Sequence, residues 1–266
     1  MFNAFKDIKP HPAAKGKLII PKTLLSVSSD AKTSKGEKAG YLTGILYLAP
    51  GTLAGVGNMC VFASKGCALS CLWKAGRASM FKAINKSRVM KTRFLHDQRE
   101  AFIALLLKDV ASLVRKANRL NLTPVLRLNG TSDLPIENLF KTVFDTYPDL
   151  VTYDYTKSLK RAIAWGKGEL PKNYHITFSL SESNRAQAAI ALRAGVNVAA
   201  VTDGFTEGET IPFDGLNVET VNGDSSDLRF LDSPSFNGQG KFVILKAKGP
   251  AKKDTTGFVI RKGATL

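Results

Sequence analysis

From residue 123 onward, short runs of β-forming residues alternate with segments of helical periodicity, and this alternation constrains the fold more than any other feature. Strands are predicted at 125–128, 151–155, 174–180 and 197–202, with helices at 136–144, 159–165 and 183–194. Further strands are predicted at 41–48, 216–221 and 241–247. Strands and helices that alternate at this spacing indicate βαβ units with right-handed crossovers, and hence a parallel sheet. We expect an α/β fold, a TIM-barrel-like (β/α) barrel that is complete, incomplete or distorted, with a doubly wound open sheet as the alternative.

The first part of the chain differs in composition. Residues 26–40 are polar and rich in Gly and Ser, which is typical of a loop, and residues 75–91 and 93–120 have helical periodicity. The sequence has no apolar run of the roughly 18 residues that a membrane helix needs, and its first residues lack the apolar core of a signal peptide. We expect a flexible basic arm over 1–40, one barrel domain over 41–266 with a cysteine loop at 55–77, a cytoplasmic location and no membrane contact. The oligomeric state is left open.

Polar residues gather where the predicted strands end. In a (β/α) barrel these ends form the active-site face, although about half of such residues serve as helix caps or turns. Side chains alternate between the two faces of a strand, and each predicted strand has one apolar and one polar face. If the apolar faces meet the helices, the polar faces line a cavity; the alternative is a buried salt-bridge network without a ligand. The cavity candidates, suited to a small anionic substrate, are Arg127, Asn129, Asp133, Asp154, Lys157, His175, Ser179, Ser181, Glu182, Asp203, Lys246 and Lys248.

Three cysteines, Cys60, Cys67 and Cys71, lie within twelve residues, in the spacing C-x6-C-x3-C. A disulfide would leave one thiol over and is rare in a cytoplasmic protein. Three thiolates fit a [4Fe–4S] cluster whose fourth iron takes another ligand. Zinc, which prefers four protein ligands, and structural cysteines without a metal are the alternatives. The basic residues around this loop favour ionised thiolates.

The net charge of +16 is unevenly distributed. Residues 1–38 carry +5, residues 65–127 carry +11, residues 241–266 carry +6, and the remainder carries −6. Basic segments favour anionic partners such as nucleic acid, a phosphorylated substrate or an anionic cluster; a solvated lysine surface is the alternative. We expect Trp73 and Phe81, which lie in the most basic segment, to pack in the protein rather than to stack on a base.

A cysteine cluster that follows the first strand of a (β/α) barrel resembles the radical S-adenosylmethionine enzymes. Cys67-x3-Cys71 matches the first step of that family's C-x3-C-x2-C pattern, whereas Trp73 stands where the third cysteine would be and Cys60 precedes the pair. The resemblance implies a [4Fe–4S] cluster held by Cys60, Cys67 and Cys71, with S-adenosylmethionine as a cofactor bound at the open iron.

Several blocks together resemble a family of proteins encoded by bacteriophages and plasmids. They lie at residues 47–50, 71–77, 127–133, 153–157, 174–179 and 246–249, so the likeness spans roughly residues 40–260. The resemblance implies a phage or mobile-element origin and a place in the cytoplasm of a bacterial host. It implies no particular reaction.

Two functional hypotheses follow. The first is an iron–sulfur enzyme that acts on a small anionic substrate, with radical chemistry of the S-adenosylmethionine type as one form of it; no catalytic residue is assigned. The second is a basic nucleic-acid-binding phage protein whose cysteines are structural. A non-catalytic redox or host-interaction protein is a third class.

Overall fold

The computed structural model describes residues 4–28, 36–232 and 238–263. The chain forms two compact units. The first unit contains Met1–Ala63 and Leu72–Thr152, and the second contains Ser64–Cys71 and Tyr153–Leu266. The cysteine loop is therefore divided, with Cys60 in the first unit and the other two cysteines in the second.

The helices are Lys65–Leu69 (α1), Arg77–Met80 (α2), Lys82–Asp97 (α3), Arg99–Arg119 (α4), Ile136–Leu139 (α5), Lys141–Thr146 (α6), Leu159–Gly166 (α7) and Arg185–Arg193 (α8). The strands are Leu25–Val27 (β1), Tyr41–Leu46 (β2), Thr123–Arg127 (β3), Thr152–Thr156 (β4), Tyr174–Ser179 (β5), Val198–Asp203 (β6), Thr210–Phe213 (β7), Leu216–Asn222 (β8), Phe242–Lys246 (β9) and Val259–Arg261 (β10). Short 3₁₀ turns, including Arg229–Leu231, complete the described elements.

The first unit is built on β2 and β3, which pair in parallel. β1 is antiparallel to β2 at the edge, and Leu126 of β3 pairs in parallel with Thr152, the first residue of β4. α4 packs on β2 and β3 with a stripe of buried apolar residues at helical spacing, Phe102, Leu106, Val110, Leu113 and Ala117. Gly44 permits the close approach, because a Cβ there would lie 2.8 Å from Leu113 Cδ2.

Side chains of α3 and α4 hold the N-terminal segment by its main chain. Arg93 Nη1 donates to the carbonyl of Gly16 at 2.5 Å, and Lys91 Nζ donates to the carbonyl of Leu24 at 2.6 Å. Asp109 Oδ2 accepts from the Leu24 N–H at 2.5 Å. Burial lowers the pKa of Lys91 to about 8. Parts of the predicted basic arm, at Ala13, Gly16, Leu24 and Leu25, thus contact these helices, whereas residues 29–35 of it lie outside the described residues.

The second unit has the strand order β4-β5-β6-β9-β8-β7, and β10 also pairs with β6. The pairs β5–β6, β6–β9, β8–β9 and β6–β10 are parallel, and β7–β8 is an antiparallel hairpin. β6 is the central strand, and its residues Val198, Ala199 and Ala200 are buried. β10 takes the side of β6 beyond the residues that pair with β5.

The predicted alternation and the parallel pairing are confirmed, so the fold is mixed α/β with mostly parallel strands. Closure into a barrel stays a prediction. The sequence missed β1, β7 and β10, which have only three or four residues each. The break between the two long helices falls at Gln98, whose φ is −143°, and not near residue 92 as predicted. Among the described residues, no helix is long and apolar enough to cross a bilayer.

Candidate functional site

Three predicted site residues of the first unit lie at the end of β3. Asn129 closes the loop that follows: its Oδ1 accepts from Ser132 Oγ at 2.8 Å and from the Leu134 N–H at 3.0 Å. The main-chain N–H of Asp133 donates to the Met59 carbonyl at 2.8 Å. Arg127 is buried. The side chain of Asn129 therefore shapes a turn, which is one of the two roles expected for strand-end residues.

Cys60 contacts this same turn. Its Sγ lies 3.8 Å from the Thr131 carbonyl, to which the thiol donates, and its N–H donates to Asn58 Oδ1 at 2.8 Å. The turn after β3 and the first cysteine are thus brought together.

In the second unit the ends of β4 and β5 meet, as predicted. Lys157 Nζ donates to Ser179 Oγ at 2.8 Å. Asn184 organises the next loop, because its Oδ1 accepts from the Ser181 N–H at 2.7 Å and its Nδ2 donates to the Ser179 carbonyl at 3.0 Å. Of the candidates, Lys157, Ser179 and Ser181 therefore share one strand-end region.

Glu182 holds the start of the cysteine helix α1. Its Oε2 accepts from Ser64 Oγ and its Oε1 accepts from the Gly66 N–H, both at 2.7 Å. Ser64 in turn caps α1 by accepting from the Cys67 N–H at 3.1 Å. A Cβ on Gly66 would lie 2.2 Å from Thr256 Oγ1, so only glycine allows this approach. Glu182 thus positions Cys67, a role that the sequence did not suggest.

Asp154 lies in a hydrogen-bonded network between β4, β5 and α7. Tyr174 OH donates to Asp154 Oδ2 at 3.4 Å, and Arg161 Nη2 donates to Tyr174 OH at 2.7 Å. Arg161 Nη1 donates to Thr156 Oγ1 at 3.0 Å. The polar side chains of Asp154 and Thr156 on β4 therefore lie in a buried network to which α7 contributes Arg161, an arrangement that corresponds to the second of the two alternatives for the polar strand faces.

His175 lies on the other face of β5, where the 3₁₀ turn Arg229–Leu231 packs. Burial, and then the positive charge of Arg229, lower the pKa of His175 to about 4, so the ring is neutral at neutral pH. Its ring is edge-on to Trp165, with 4.6 Å between centroids. Arg229 Nη1 lies 3.0 Å from Asp232 Oδ2, and burial raises the pKa of Asp232 to about 6.

The remaining candidates are exposed. Asp203, Lys246 and Lys248 have solvent-exposed side chains. Lys248 forms an ion pair with Asp224, whose Oδ2 also accepts from the Lys246 N–H at 2.6 Å. Sequence reasoning placed the two lysines together but missed Asp224 as their common partner.

Cys60, Cys67 and Cys71 form no disulfide, and among the described residues no group of three or more His, Cys, Asp or Glu side chains is placed to hold a metal ion. Cys67 lies in α1 of the second unit and Cys71 lies just beyond its C-terminal end. The [4Fe–4S] cluster stays a prediction.

A feature that the sequence reasoning missed lies in the first unit. Apolar side chains are exposed among cations: Met80 is 74% exposed and Phe81 is 49% exposed. The Arg77 guanidinium carbon lies 5.7 Å from the centroid of the Phe81 ring. We call this the basic–aromatic surface, defined by Leu72, Lys74, Arg77, Met80, Phe81, Lys82 and Lys86. Trp73 packs against an apolar core cluster as predicted, whereas Phe81 is half exposed among these cations.

The comparisons with known proteins identify the family. A family model described as Gene product 88 matches residues 23–262. No curated protein and no solved structure matches significantly, and nothing supports the resemblance to radical S-adenosylmethionine enzymes. The match covers nearly the whole chain and includes every block on which the phage-type resemblance was based. This chain therefore belongs to the Gene product 88 family.

Proposed function

We propose that this protein binds single-stranded nucleic acid through the basic–aromatic surface of its first unit, in the cytoplasm of a bacterial host. The observation that carries the proposal is the half-exposed ring of Phe81 beside the Arg77 guanidinium. Single-strand-binding proteins combine cations that track the phosphates with aromatic rings on which unpaired bases stack. Phe81 supplies such a ring at the N-terminal end of α3, and Lys82 and Lys86 supply exposed cations on the same helix.

The charge of this segment supports the proposal. Between Glu37 and Asp97 the sequence contains no acidic residue. Residues 72–127 contain thirteen Lys and Arg against three Asp and Glu, a net charge of +10. Cations without acidic neighbours in sequence create a positive potential that attracts a polyanion and raises its association rate.

The exposed side chains are displayed by an ordered turn. Gly76 has a φ of +55°, a conformation that favours glycine, and it precedes α2. Asn85 of α3 ties the turn together by donating from Nδ2 to the Ala78 carbonyl at 2.9 Å and to the Trp73 carbonyl at 3.3 Å. A preorganised surface of this kind loses little conformational entropy when a ligand binds.

Fluorescence anisotropy with labelled single-stranded DNA and RNA oligonucleotides tests the proposal. We expect Phe81→Ala to weaken binding by about 1–3 kcal/mol, or roughly 5- to 150-fold, because one stacked base loses its platform. Replacing exposed lysines of the second unit, Lys172→Gln with Lys252→Gln, provides a control with two charges removed elsewhere. Absence of binding at low salt, or equal loss in the control variant, would contradict the proposal.

The iron–sulfur enzyme is the second candidate. It is favoured by the placement of Cys67 and Cys71 around α1, four positions apart, but the described residues do not bring a third ligand to them. Anaerobic purification followed by iron and sulfide analysis and electron paramagnetic resonance, with and without S-adenosylmethionine, tests it. A stoichiometric cluster that Cys67→Ala abolishes would favour this candidate, whereas a colourless protein without iron would exclude it.

A further inference from the structure

The second unit buries several polar side-chain atoms that have no hydrogen-bond partner among the described residues. They are His175 Nε2, Thr177 Oγ1, Arg229 Nε, Arg229 Nη1 and Asp232 Oδ2. The Thr177 and Arg229 side chains are almost completely buried. Native proteins leave few such groups unpaired, and each one calls for a ligand, an ordered water or a functional explanation.

These atoms belong to one region of the unit. The 3₁₀ turn Arg229–Leu231 packs on β5, and His175 and Thr177 share the face of β5 that is opposite to Tyr174. The positive charge of Arg229 reaches the His175 ring, because it contributes to the low pKa of that ring. The segment before the turn is fixed to β4 by Tyr153, which donates from its hydroxyl to Asp227 Oδ2 at 3.3 Å.

Arg229 is imperfectly neutralised. Its Nη2 donates to the Ser226 carbonyl. Asp232 Oδ2 lies 3.0 Å from Nη1, but neither atom makes a hydrogen bond of acceptable geometry. The carboxyl of Asp232 also faces Glu207, which raises its pKa, and Lys241, which lowers it. Another buried arginine of this unit, Arg161, in contrast donates to Thr156 and to Tyr174.

We propose that this region binds a small oxyanion, a phosphate or carboxylate group, with Arg229 as its principal donor and Thr177 and His175 as further hydrogen-bonding groups. The guanidinium N–H groups and the threonine hydroxyl can all donate, and the neutral histidine ring can donate from one nitrogen. The Arg229 guanidinium carries a permanent positive charge, so an anion with several hydrogen-bond acceptors is the complementary ligand. The Asp232 carboxylate is the competitor of this ligand for Arg229. The site is distinct from the nucleic-acid surface, which lies in the first unit.

Isothermal titration calorimetry of the full chain, with inorganic phosphate and with acetate as probes at constant ionic strength, tests the proposal. We expect one phosphate or carboxylate per chain. Thr177→Val, which keeps the shape and removes the hydroxyl, should weaken binding at least 5-fold without lowering the unfolding midpoint. Asp232→Asn should tighten binding at least 3-fold, because it removes the competing charge. A purely structural role for Asp232 does not predict that gain.

Three results would overturn the proposal. These are no saturable binding of either probe by the wild-type chain, binding that Thr177→Val leaves unchanged, or binding that Asp232→Asn weakens. In the first case the unpaired atoms would be served by ordered water only. Oligonucleotide binding measured on the same variants keeps this test separate from the proposed function, because neither Thr177 nor Asp232 belongs to the basic–aromatic surface.

Discussion

Two regions of this chain place cations in different environments: the basic–aromatic surface of the first unit, and the interior around β4 and β5 of the second unit. The first unit carries a net charge of +12 and the second a net charge of +4. In the first unit, Lys82 and Lys86 are exposed and stand beside an exposed aromatic ring. In the second unit, Arg161 and Arg229 are buried. An exposed cation retains its water and is available to a large polyanion, whereas a buried cation must be compensated inside the protein or by a small ligand. The same residue types are thus suited to different partners.

Removing one cation from each unit should affect folding stability very differently. Arg161→Met should reduce the free energy of unfolding by about 3–5 kcal/mol, because it removes the buried positive charge that donates to Tyr174 and Thr156 in the network of Asp154. Arg77→Met, at an exposed position, should change it by less than about 0.5 kcal/mol. Urea denaturation monitored by circular dichroism measures both values. Similar small losses in the two variants would show that burial of the second unit's arginine is energetically unimportant.

The buried titratable groups of the second unit give opposite pH dependences. The pKa of His175 is lowered to about 4, so its contribution makes stability rise as the pH increases from about 4 to 6.5. The pKa of Asp232 is raised to about 6, so its contribution is present at low pH and is lost as the pH rises from about 4 to 6. These two groups together should therefore change the stability of the wild-type protein little between pH 4 and 6.5.

Single variants should separate the two contributions. With Asp232→Asn, stability should rise between pH 4 and 6.5, by on the order of 3 kcal/mol. With His175→Gln, stability should fall over the same range. Thermal unfolding at several pH values measures the slopes. The interpretation fails if both variants keep the wild-type profile.

The cysteine helix provides a test of packing in the second unit. Gly66→Ala should cost about 1–3 kcal/mol, because the new Cβ would collide with Thr256 and Phe258. Gly16 in the first unit has a negative φ, and a Cβ added there would meet no atom closer than 3.8 Å. Gly16→Ala should therefore leave the free energy of unfolding nearly unchanged. Equal unfolding midpoints for the two variants would mean that α1 is not tightly packed on Glu182 and the loop before β10.

The smallest expected effect concerns the cations of the first unit. Lys82→Gln together with Lys86→Gln should lower the slope of log affinity against log salt for a single-stranded oligonucleotide by about 1.4, since each phosphate contact contributes about 0.7. Folding stability should be unaffected, because both side chains are exposed. Lys172→Gln with Lys252→Gln should leave the slope unchanged; a comparable change there would indicate nonspecific electrostatic attraction.

The sequence predicted the parts of this structure that depend on local pattern. Strand positions such as Tyr174–Ser179 follow from short-range alternation, and the meeting of Lys157 with Ser179 follows from parallel strands ending together. It could not predict that Glu182 accepts from Ser64, because these residues are 118 positions apart. Nor could alternation show which face of β4 meets a helix, because that depends on the single side chain of Arg161. The exposure of Phe81 likewise depends on the path of the turn after Trp73.

Lysine-acetylation footprinting of the full chain, with and without saturating single-stranded oligonucleotide, tests whether the basic–aromatic surface binds nucleic acid. Mass spectrometry would report the acetylation rate at each lysine. We expect the oligonucleotide to protect Lys74, Lys82 and Lys86, while Lys172 and Lys252 react at unchanged rates. Unchanged rates at the first three lysines, or protection confined to the second unit, would contradict the proposal.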